Sequence, residues 1–339
     1  MKNNIWFINF NGIGNGIIVA PILACFEKTY PSIKYFHTEN EVLANPWFQY
    51  KARINGPTGY NPLTWRRFKK ENWQDIVNFI NENNIETIVN LRNEGPGYDV
   101  DYYDFKHFFK EKNVNYFELN FPEITNRLTQ QNLTSDILSL FNKLGVNTTE
   151  YNHEWLKDDL VIKEERVGFG MTASHSNKKL PLNKWFDIAR ELSNIDVKIS
   201  LFPGLDEKEK NEANIIKERL VNNIVIIKDF SLEEAVKEMS KLKLFISNDT
   251  GLLHAAVASG IPTIGLYIAT DPNIWAPLNQ ESFIAIKNKN FKRCPYLKLH
   301  CGNCLHYNDI CPAISQFGDG ISVKKVIESA IKLVPILDK

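Results

Sequence analysis

The chain has 339 residues, of which 43% are hydrophobic and 24% are charged, so its length and composition suit a globular protein of two domains. Its 40 basic side chains balance 40 acidic ones, which argues against nucleic acid or an anionic membrane as the main partner. The longest early apolar run, residues 16–26, is too short to span a membrane and lacks the positively charged start of a signal peptide. We therefore expect a cytoplasmic enzyme.

The first half of the chain alternates short apolar runs with helix-compatible stretches. "IWFINF" predicts a strand, "NGIGNG" a glycine loop, and the residues that follow as far as Pro31 a helix. Further strands are predicted at "IKYFH", "IETIVNL" and "NYFELNF", with a helix at "WQDIVNFINENN". This alternation is typical of an α/β layer.

The polar segment 146–165 is predicted to be a linker, and a second αβ series follows it. Strands are predicted at "RVGFGM", "VKISLF", "NIVIIK" and "KLFIS", with helices at "KWFDIARELSN", "EKEKNEANIIKERL" and "SLEEAVKEMSKL". A closing amphipathic helix is predicted over residues 322–335. The chain is thus expected to form two domains, 1–160 and 161–339.

Three polar residues, Asn248, Asp249 and Thr250, interrupt the apolar sequence directly after the predicted strand "KLFIS". In open parallel sheets, ligands bind at the carboxyl ends of the strands. The first backbone amides of a helix have no partner within the helix, so they attract a phosphate. We therefore expect the amides of residues 250–252 to hold an anion.

Two residues near this predicted anion site also have simpler interpretations. His254 lies four residues after Thr250, on the same face of the predicted helix "GLLHAAVASG", so it is expected beside the anion. Considered alone, it would be a core histidine. Asp249 could serve only as the N-cap of that helix, because a carboxylate accepts hydrogen bonds from the first amides.

The segment 291–314 is rich in cysteine. Four of the five cysteines of the chain fall there, in the pattern C-x6-C-x2-C-x6-C: Cys294, Cys301, Cys304 and Cys311. Four thiolates can supply one tetrahedral site that suits Zn or Fe, and a metal would stabilise a segment too short for a core of its own. Disulfides and free thiols are the alternatives. His300 or His306 could replace one thiol.

The run "GIGNG" between a predicted strand and helix also suggests dinucleotide binding. That fingerprint needs a third small residue three positions after the second glycine, where this chain has Ile17. Glu39 or Glu41 stands at about the right distance for a ribose contact. Hydride transfer would leave the polar residues 248–254 without a role, which argues against this interpretation.

A long series of motifs surrounds the polar residues 248–254. It comprises "SNDTGLLHAAVASGIPTIGLY", "TDPNIWAP", "SLEEAVKEMSKLKLFIS", "SNKKLPLNKWFDIARELS" and the N-terminal "NGIGNGIIVAPIL". These segments resemble glycosyltransferase family 9, the heptosyltransferase family, whose members show D-T-G-x-x-H, G-x-P-T, T-D-P, K-x-W-P-L-x-x-F and G-x-G-D-x-x-x-x-P. Leu180 stands where the family usually has Trp. The resemblance covers most of residues 5–335 and is weak over 35–160.

The resemblance implies the GT-B fold, in which two Rossmann-like αβα domains face a central cleft. The N-terminal domain would bind the acceptor and the C-terminal domain a nucleotide-diphosphate sugar, with ADP-heptose as the family's donor. Transfer would invert the configuration at the anomeric carbon of the sugar and would need no catalytic metal. The acceptor would be a hydroxyl of a lipopolysaccharide-type glycan or of a protein, and a lipid-linked acceptor would add peripheral membrane contact. The oligomeric state stays open.

The resemblance also assigns roles by motif position. It places the diphosphate on Thr250, Gly251, Leu252, His254, Ser174 and Lys178, the sugar hydroxyls on Asp249, the nucleotide base on Phe230, and the ribose on Asp206 or Glu207. It places an acceptor loop on Gly12, Gly14, Asn15 and Gly16. The four cysteines resemble the iron site of relatives that heptosylate autotransporter proteins.

Asn15 departs from the family pattern, which has an Asp there as general base for the acceptor hydroxyl. A carboxamide cannot take a proton at neutral pH. The base could come instead from Glu94, Asp99 or Asp101 in "NEGPGYDVD", unless that segment is only a solvated acidic turn. A further alternative is a sugar-nucleotide-binding protein with impaired catalysis.

Overall fold

The computed structural model describes most of the chain. It covers residues 4–8, 12–61, 73–91, 108–109, 111–112, 114–119, 132–174, 176–194, 197–220, 224–227, 230–278, 281–289 and 320–335. These residues belong to two compact units, Met1–His153 and Glu154–Lys339. Within the described ranges, no helix is long and apolar enough to cross a membrane.

The first unit is an α/β layer. Its strands are β1 (Asn4–Ile8), β2 (Tyr35–Thr38), β3 (Gly59–Asn61), β4 (Ile85–Asn90) and β5 (Asn115–Glu118). They form a parallel sheet in the order β3-β2-β1-β4-β5, so the strand order reverses between β1 and β4. The described helices of this unit are α1 (Ile13–Thr29), α2 (Glu41–Ala44), α3 (Pro46–Ala52), α4 (Trp73–Glu82) and α5 (Leu133–Lys143).

The second unit repeats the architecture with six parallel strands. They are β6 (Arg166–Gly170), β7 (Lys198–Phe202), β8 (Ile224–Ile226), β9 (Leu244–Asn248), β10 (Thr263–Tyr267) and β11 (Phe283–Lys287). Their order is β11-β10-β9-β6-β7-β8, which reverses between β6 and β9. The described helices are α6 (Leu182–Ser193), α7 (Glu207–Leu220), α8 (Leu232–Met239), α9 (Gly251–Ala258), α10 (Pro272–Trp275) and α11 (Val323–Leu333).

The core of the second unit explains why its strands look apolar throughout in the sequence. Every residue of β6, β9 and β10 is buried, as expected for parallel strands covered on both faces. Trp185 of α6 packs on Phe169 of β6, with ring centroids 5.1 Å apart. Val326 and Ala330 of α11 join the same core. The predicted α/β class is therefore confirmed, although β10, β11 and α10 were not predicted as separate elements.

The boundary between the units lies inside the predicted linker 146–165. Val146 is buried and its amide bonds to the carbonyl of Phe141, which keeps this end of the segment in the first unit. From residue 154 onward the segment belongs to the second unit, where the amide of Leu156 donates to the carbonyl of Ala258. Much of the expected linker is thus part of the folded units.

The predicted glycine loop over residues 11–16 is wrong in one respect. Helix α1 begins at Ile13, so Gly14, Asn15 and Gly16 occupy its first turn, and Gly12 is the N-cap. Gly16 allows this close packing, because a Cβ atom there would lie 2.2 Å from Oδ1 of Asn40. Three of the four residues predicted as an acceptor loop therefore belong to a helix end.

His37 is a fully buried histidine in β2. Its Nδ1 donates a hydrogen bond to the carbonyl of Thr38 at 2.8 Å, and its Nε2 has no hydrogen-bond partner among the residues that the structure describes. Burial lowers the pKa of His37 to about 4, although the bond to Thr38 acts in the opposite direction. The folded first unit therefore keeps this ring neutral in mild acid.

This neutral ring makes the stability of the first unit depend on pH. Between the ordinary histidine pKa of about 6.5 and the folded value, the unfolded chain binds a proton that the folded unit does not, so stability falls as the pH falls. This histidine should cost the wild type about 2 kcal/mol of unfolding free energy between pH 7 and pH 5, and His37→Phe should abolish that part of the loss. Urea unfolding midpoints at both pH values measure this loss. The control His153→Gln should keep the wild-type loss, and an unchanged loss in His37→Phe would contradict the assignment.

Candidate functional site

The second unit carries a group of polar side chains where its strand order reverses. The segments after β6 and β9 leave neighbouring strands at the same edge of the sheet, because both strands are parallel and paired. A ligand-binding crevice forms at such a reversal in open α/β sheets. Lys178 lies in a short 3-10 helix after β6, and Asp249 directly follows β9.

Asn248, the last residue of β9, ties these two segments together. Its side chain is fully buried. Oδ1 accepts a hydrogen bond from the amide of Leu180 at 3.0 Å, and Nδ2 donates to the carbonyls of Met171 and Thr172 at 2.8 and 3.3 Å. The amide thus binds both ends of the segment that carries Lys178, which fixes where that lysine can reach.

Asp249 is a buried carboxylate with two partners on one oxygen. Its Oδ2 accepts a hydrogen bond from the hydroxyl of Thr270 at 2.7 Å and lies 3.4 Å from the Lys178 ammonium. Only 6% of the residue is exposed. The N-cap of α9 is Thr250, so the interpretation of Asp249 as a simple helix cap is wrong.

The start of α9 has no side-chain cap. Thr250 has an extended backbone as N-cap, and its side chain accepts no hydrogen bond from the first turn of the helix. Its buried hydroxyl oxygen has no partner among the described residues, and the same holds for Oδ1 of Asn177. The first amides of α9 are therefore without a side-chain cap and suit an anion.

Two buried titratable side chains, His254 and Tyr267, are affected by the charge of the Asp249 carboxylate. Burial lowers the pKa of His254. The nearby charge of Asp249 raises this pKa and that of Lys178 lowers it, both by less than burial does. Burial and the nearby charge of Asp249 raise the pKa of Tyr267 well above its usual value. Both side chains are therefore neutral at pH 7, and the Tyr267 hydroxyl has no partner among the described residues.

A second ion pair supports the segment of Lys178 from the side of β7. Lys179 pairs with Glu209 of α7, which is 4% exposed and also accepts a hydrogen bond from Thr172 at 3.3 Å. Gly204 makes this contact possible, because a Cβ atom there would lie 1.8 Å from Oε2 of Glu209. The segment is thus tied to two buried carboxylates, through Lys178 to Asp249 and through Lys179 to Glu209.

The remaining residues predicted to bind the donor lie at the same edge of the sheet, after β6, β7 and β8. Ser174 is exposed, and Phe230 is half-buried with its ring 5.9 Å from that of Phe202. Asp206 and Glu207 are exposed at the start of α7, where Asp206 accepts a hydrogen bond from the amide of Lys208 at 2.7 Å. Their proposed roles toward the nucleotide stay predictions.

The first unit contains Asn15, half-exposed in the first turn of α1. The buried Asn40 supports this turn: its Nδ2 donates to the carbonyl of Gly12 at 3.2 Å, and its Oδ1 accepts from the amides of Val42 and Leu43. The other predicted base residues and the four metal ligands lie outside the described residues: Glu94, Asp99, Asp101, Cys294, Cys301, Cys304 and Cys311.

The structure adds three residues to the predicted site. Thr270 donates a hydrogen bond to Asp249, Tyr267 is buried and has its pKa raised in part by the charge of Asp249, and the ring centroid of Trp275 lies 6.0 Å from the Lys178 ammonium. Thr270 and Trp275 belong to the motif "TDPNIWAP", so the sequence held a signal for them without assigning a role. Across the described ranges, no group of three or more His, Cys, Asp or Glu side chains could hold a metal ion.

The sequence of the chain is similar to those of known proteins. Residues 117–301 match the sequence profile of the family described as glycosyltransferase family 9 (heptosyltransferase). A candidate glycosyltransferase of Haemophilus influenzae is 30% identical over 166 residues. That match covers 46% of this chain and 44% of the relative, so the chain spans less than half the length of the curated relative it matches.

Solved structures share the whole fold at low sequence identity. Escherichia coli heptosyltransferase WaaC with ADP has a TM-score of 0.63 at 15% identity, covering 98% of this chain and 100% of WaaC. WaaC with ADP-2-deoxy-2-fluoro heptose gives 0.61 at 17% identity, covering 96% and 99%. The iron-containing dodecameric glycosyltransferase TibC of enterotoxigenic E. coli gives 0.54 at 11% identity, covering 97% and 75%. The fold expected from the sequence, GT-B, is confirmed.

Asn248 should be essential for the stability of the second unit. Asn248→Leu keeps the branched shape of the side chain but leaves the amide of Leu180 and the carbonyl of Met171 buried without partners, which should cost about 3 kcal/mol of unfolding free energy. Urea unfolding followed by circular dichroism measures the cost. The exposed Asn183→Leu should change the same quantity by less than about 0.5 kcal/mol. Equal effects of the two changes would contradict the anchoring role.

Proposed function

The chain belongs to glycosyltransferase family 9, the heptosyltransferase family, and from this premise we propose its reaction. It is an inverting transfer of a heptose or a related sugar from a nucleotide-diphosphate donor, ADP-heptose, to a hydroxyl group. The acceptor is a lipopolysaccharide-type glycan or a protein, bound by the first unit. The reaction takes place on the cytoplasmic side, where nucleotide sugars are made.

The start of α9 is the observation that carries the proposal. Its uncapped amides at residues 250–252 directly follow Asp249, which lies 3.4 Å from the Lys178 ammonium, at the edge where the strand order reverses. Oriented amides and one cation match a diphosphate, which carries negative charge spread over several oxygens. His254 and Ser174 add neutral contacts to phosphate oxygens. The ADP and ADP-sugar complexes of WaaC support this choice of ligand.

The chemistry needs stabilisation of a leaving group. The acceptor oxygen forms a bond to the anomeric carbon from the face opposite the diphosphate, the bond from that carbon to the phosphate oxygen breaks, and its electron pair leaves with ADP. Negative charge on the diphosphate therefore grows during the step. Amides and an ammonium fixed before the reaction stabilise that charge without reorganisation, which makes a catalytic metal unnecessary.

The nucleoside would extend away from α9 toward β7 and β8. Phe230 offers a half-buried aromatic face to the base, and Asp206 or Glu207 offers a carboxylate to the ribose hydroxyls. The sugar would project toward Asp249, which lies 3.4 Å from Lys178. Oδ1 of Asp249 has no partner among the described residues and would accept bonds from sugar hydroxyls.

Removal of the acceptor proton is the step for which Asn15 is unsuited. Its carboxamide can orient the acceptor hydroxyl but cannot accept the proton, so a carboxylate among Glu94, Asp99 and Asp101 is proposed as the base. The alternative is a protein that binds the sugar nucleotide with impaired catalysis. The identity of Asn15 is the observation that favours this alternative.

The cysteine pattern supports a structural metal as part of the proposal. Four thiolates of Cys294, Cys301, Cys304 and Cys311 would hold one Zn or Fe ion away from the reacting atoms. The solved glycosyltransferase TibC is iron-containing and dodecameric, which lends support to an iron site and to an oligomer in this chain.

Lys178 should be needed for donor binding. Lys178→Ala removes the ammonium proposed to bind the diphosphate and should weaken ADP binding by more than about 1.5 kcal/mol, roughly tenfold or more in Kd. Isothermal titration calorimetry with ADP measures the change. Lys217→Ala is the matched control, because Lys217 is exposed in the last turn of α7 and the C-terminal end of this helix returns to the opposite edge of the sheet. Equal ADP affinity in wild type and Lys178→Ala would show that the diphosphate does not bind at this site.

Mass spectrometry of the acceptor tests whether the protein transfers the sugar. Wild-type protein incubated with ADP-heptose and either a lipopolysaccharide core oligosaccharide or a purified acceptor protein should add one sugar mass to the acceptor. Replacing the working base, among Glu94→Gln, Asp99→Asn and Asp101→Asn, should reduce the rate about 10² to 10⁴-fold while donor affinity stays intact. Asn15→Asp should raise the rate if the base has been lost and not replaced. Donor binding without any mass gain, in wild type and in Asn15→Asp, would favour the binding protein.

A further inference from the structure

Thr270 is bound directly to the buried carboxylate of the site. It lies in the segment after β10, is 3% exposed, and donates its hydroxyl to Oδ2 of Asp249 at 2.7 Å. The Lys178 ammonium is the other partner of this oxygen, at 3.4 Å. Oδ1 of Asp249 accepts no hydrogen bond from the residues that the structure describes. Among the described residues, the carboxylate is thus held through Oδ2 and has no partner at Oδ1.

The two partners of Oδ2 differ in what an anion would do to them. An ammonium is attracted by a diphosphate, so donor binding would weaken its bond to Asp249, and the bond is already long at 3.4 Å. The hydroxyl of Thr270 is neutral and donates its only proton to Asp249, at the shorter distance. Of the two described partners, Thr270 is therefore the one that would keep the carboxylate in place after Lys178 has turned to the diphosphate.

Tyr267 is the other nearby hydroxyl, and it does not share this task. Its oxygen has no hydrogen-bond partner in the described part of the chain, although the residue is buried and senses the charge of Asp249. Thr270 is therefore the single neutral donor to Asp249 among the described residues.

We propose that Thr270 is a positioning residue that fixes Asp249 so that Oδ1 faces the hydroxyls of the donor sugar. This inference rests on the proposed function, in which Asp249 binds the sugar and Lys178 the diphosphate. It predicts that Thr270 determines how much the sugar adds to donor affinity and leaves the affinity for the nucleotide alone. A residue that only stabilises the fold would not separate these two affinities.

The test compares ADP with ADP-heptose as ligands of the full-length chain, by calorimetry. Thr270→Val keeps the shape and removes the donor, so Kd for ADP-heptose should rise about tenfold while Kd for ADP changes less than about twofold. Thr270→Ser restores the hydroxyl and should recover the wild-type ratio of the two constants. If Thr270→Val does not fold, as judged from its thermal unfolding, Thr270→Ala takes its place.

Thr263 supplies the matched control at the start of β10. It is fully buried, and its hydroxyl donates to the carbonyl of Ile261 at 2.7 Å, so Thr263→Val removes a buried threonine hydroxyl far from Asp249 along the strand. This variant should keep the wild-type ratio. The control separates loss of the Asp249 contact from a general loss of stability in β10.

Two results would overturn the inference: an unchanged ratio in Thr270→Val, whether both affinities stay or fall together, or no recovery in Thr270→Ser. Failure of the proposed function would be seen earlier, in the wild type. A wild-type protein that binds ADP-heptose no more tightly than ADP would show that Asp249 does not bind the sugar, before any variant is measured.

Discussion

The candidate site depends on keeping the carboxylate of Asp249 buried and charged. Removing a carboxylate from water costs several kcal/mol unless hydrogen bonds and an opposite charge compensate. Here the compensation comes from Lys178 and Thr270, which belong to the segments after β6 and β10. Because β6 and β10 flank β9 in the sheet, their carboxyl ends lie on either side of Asp249. The strand order thus brings the two partners to the buried carboxylate of Asp249.

The neighbouring Asn248 meets the same constraint through the backbone. It binds the amide of Leu180 and the carbonyls of Met171 and Thr172, so the segment that presents Lys178 cannot move away from β9. The helix that follows lacks a side-chain cap, which costs about 1 kcal/mol compared with a capped helix. A local departure from favourable capping beside a well-ordered buried network is typical of a binding site. A ligand with several oxygens could satisfy the amides that the chain leaves open.

Most of the fold could be predicted because parallel buried strands are short and apolar. The predicted strands over β6, β7 and β9 correspond to observed ones, and so do the helices α6, α7 and α8. The prediction missed β10 as a separate strand since residues 252–267 are apolar almost throughout, and periodicity does not divide a buried helix from the buried strand after it. It also placed Gly14 in a loop, because glycine frequency alone does not reveal that Asn40 supports a helical turn there.

Within the site, the sequence revealed Asp249 and Lys178 but not their geometry. Asp249 stands out because it interrupts apolar sequence, and Lys178 because it lies in a segment that resembles a family motif. Thr270 is an ordinary threonine 21 residues after Asp249, and only the adjacency of β9 and β10 brings its hydroxyl to the carboxylate. Long-range side-chain partners of this kind have no period in the sequence. Family motifs can point to them, as "TDPNIWAP" does, without saying what they contact.

The first unit faces a different requirement at Asn15. In the first turn of α1 the helix dipole favours negative charge, so an Asp at this position would be held ionised and could both orient a hydroxyl and accept its proton. Asn has nearly the same shape and can still orient a hydroxyl through its oxygen, yet it has no basic lone pair at neutral pH. This residue therefore separates two tasks that one carboxylate would combine. Under the proposed function, positioning of the acceptor would remain at α1, while proton transfer would be carried out by another group.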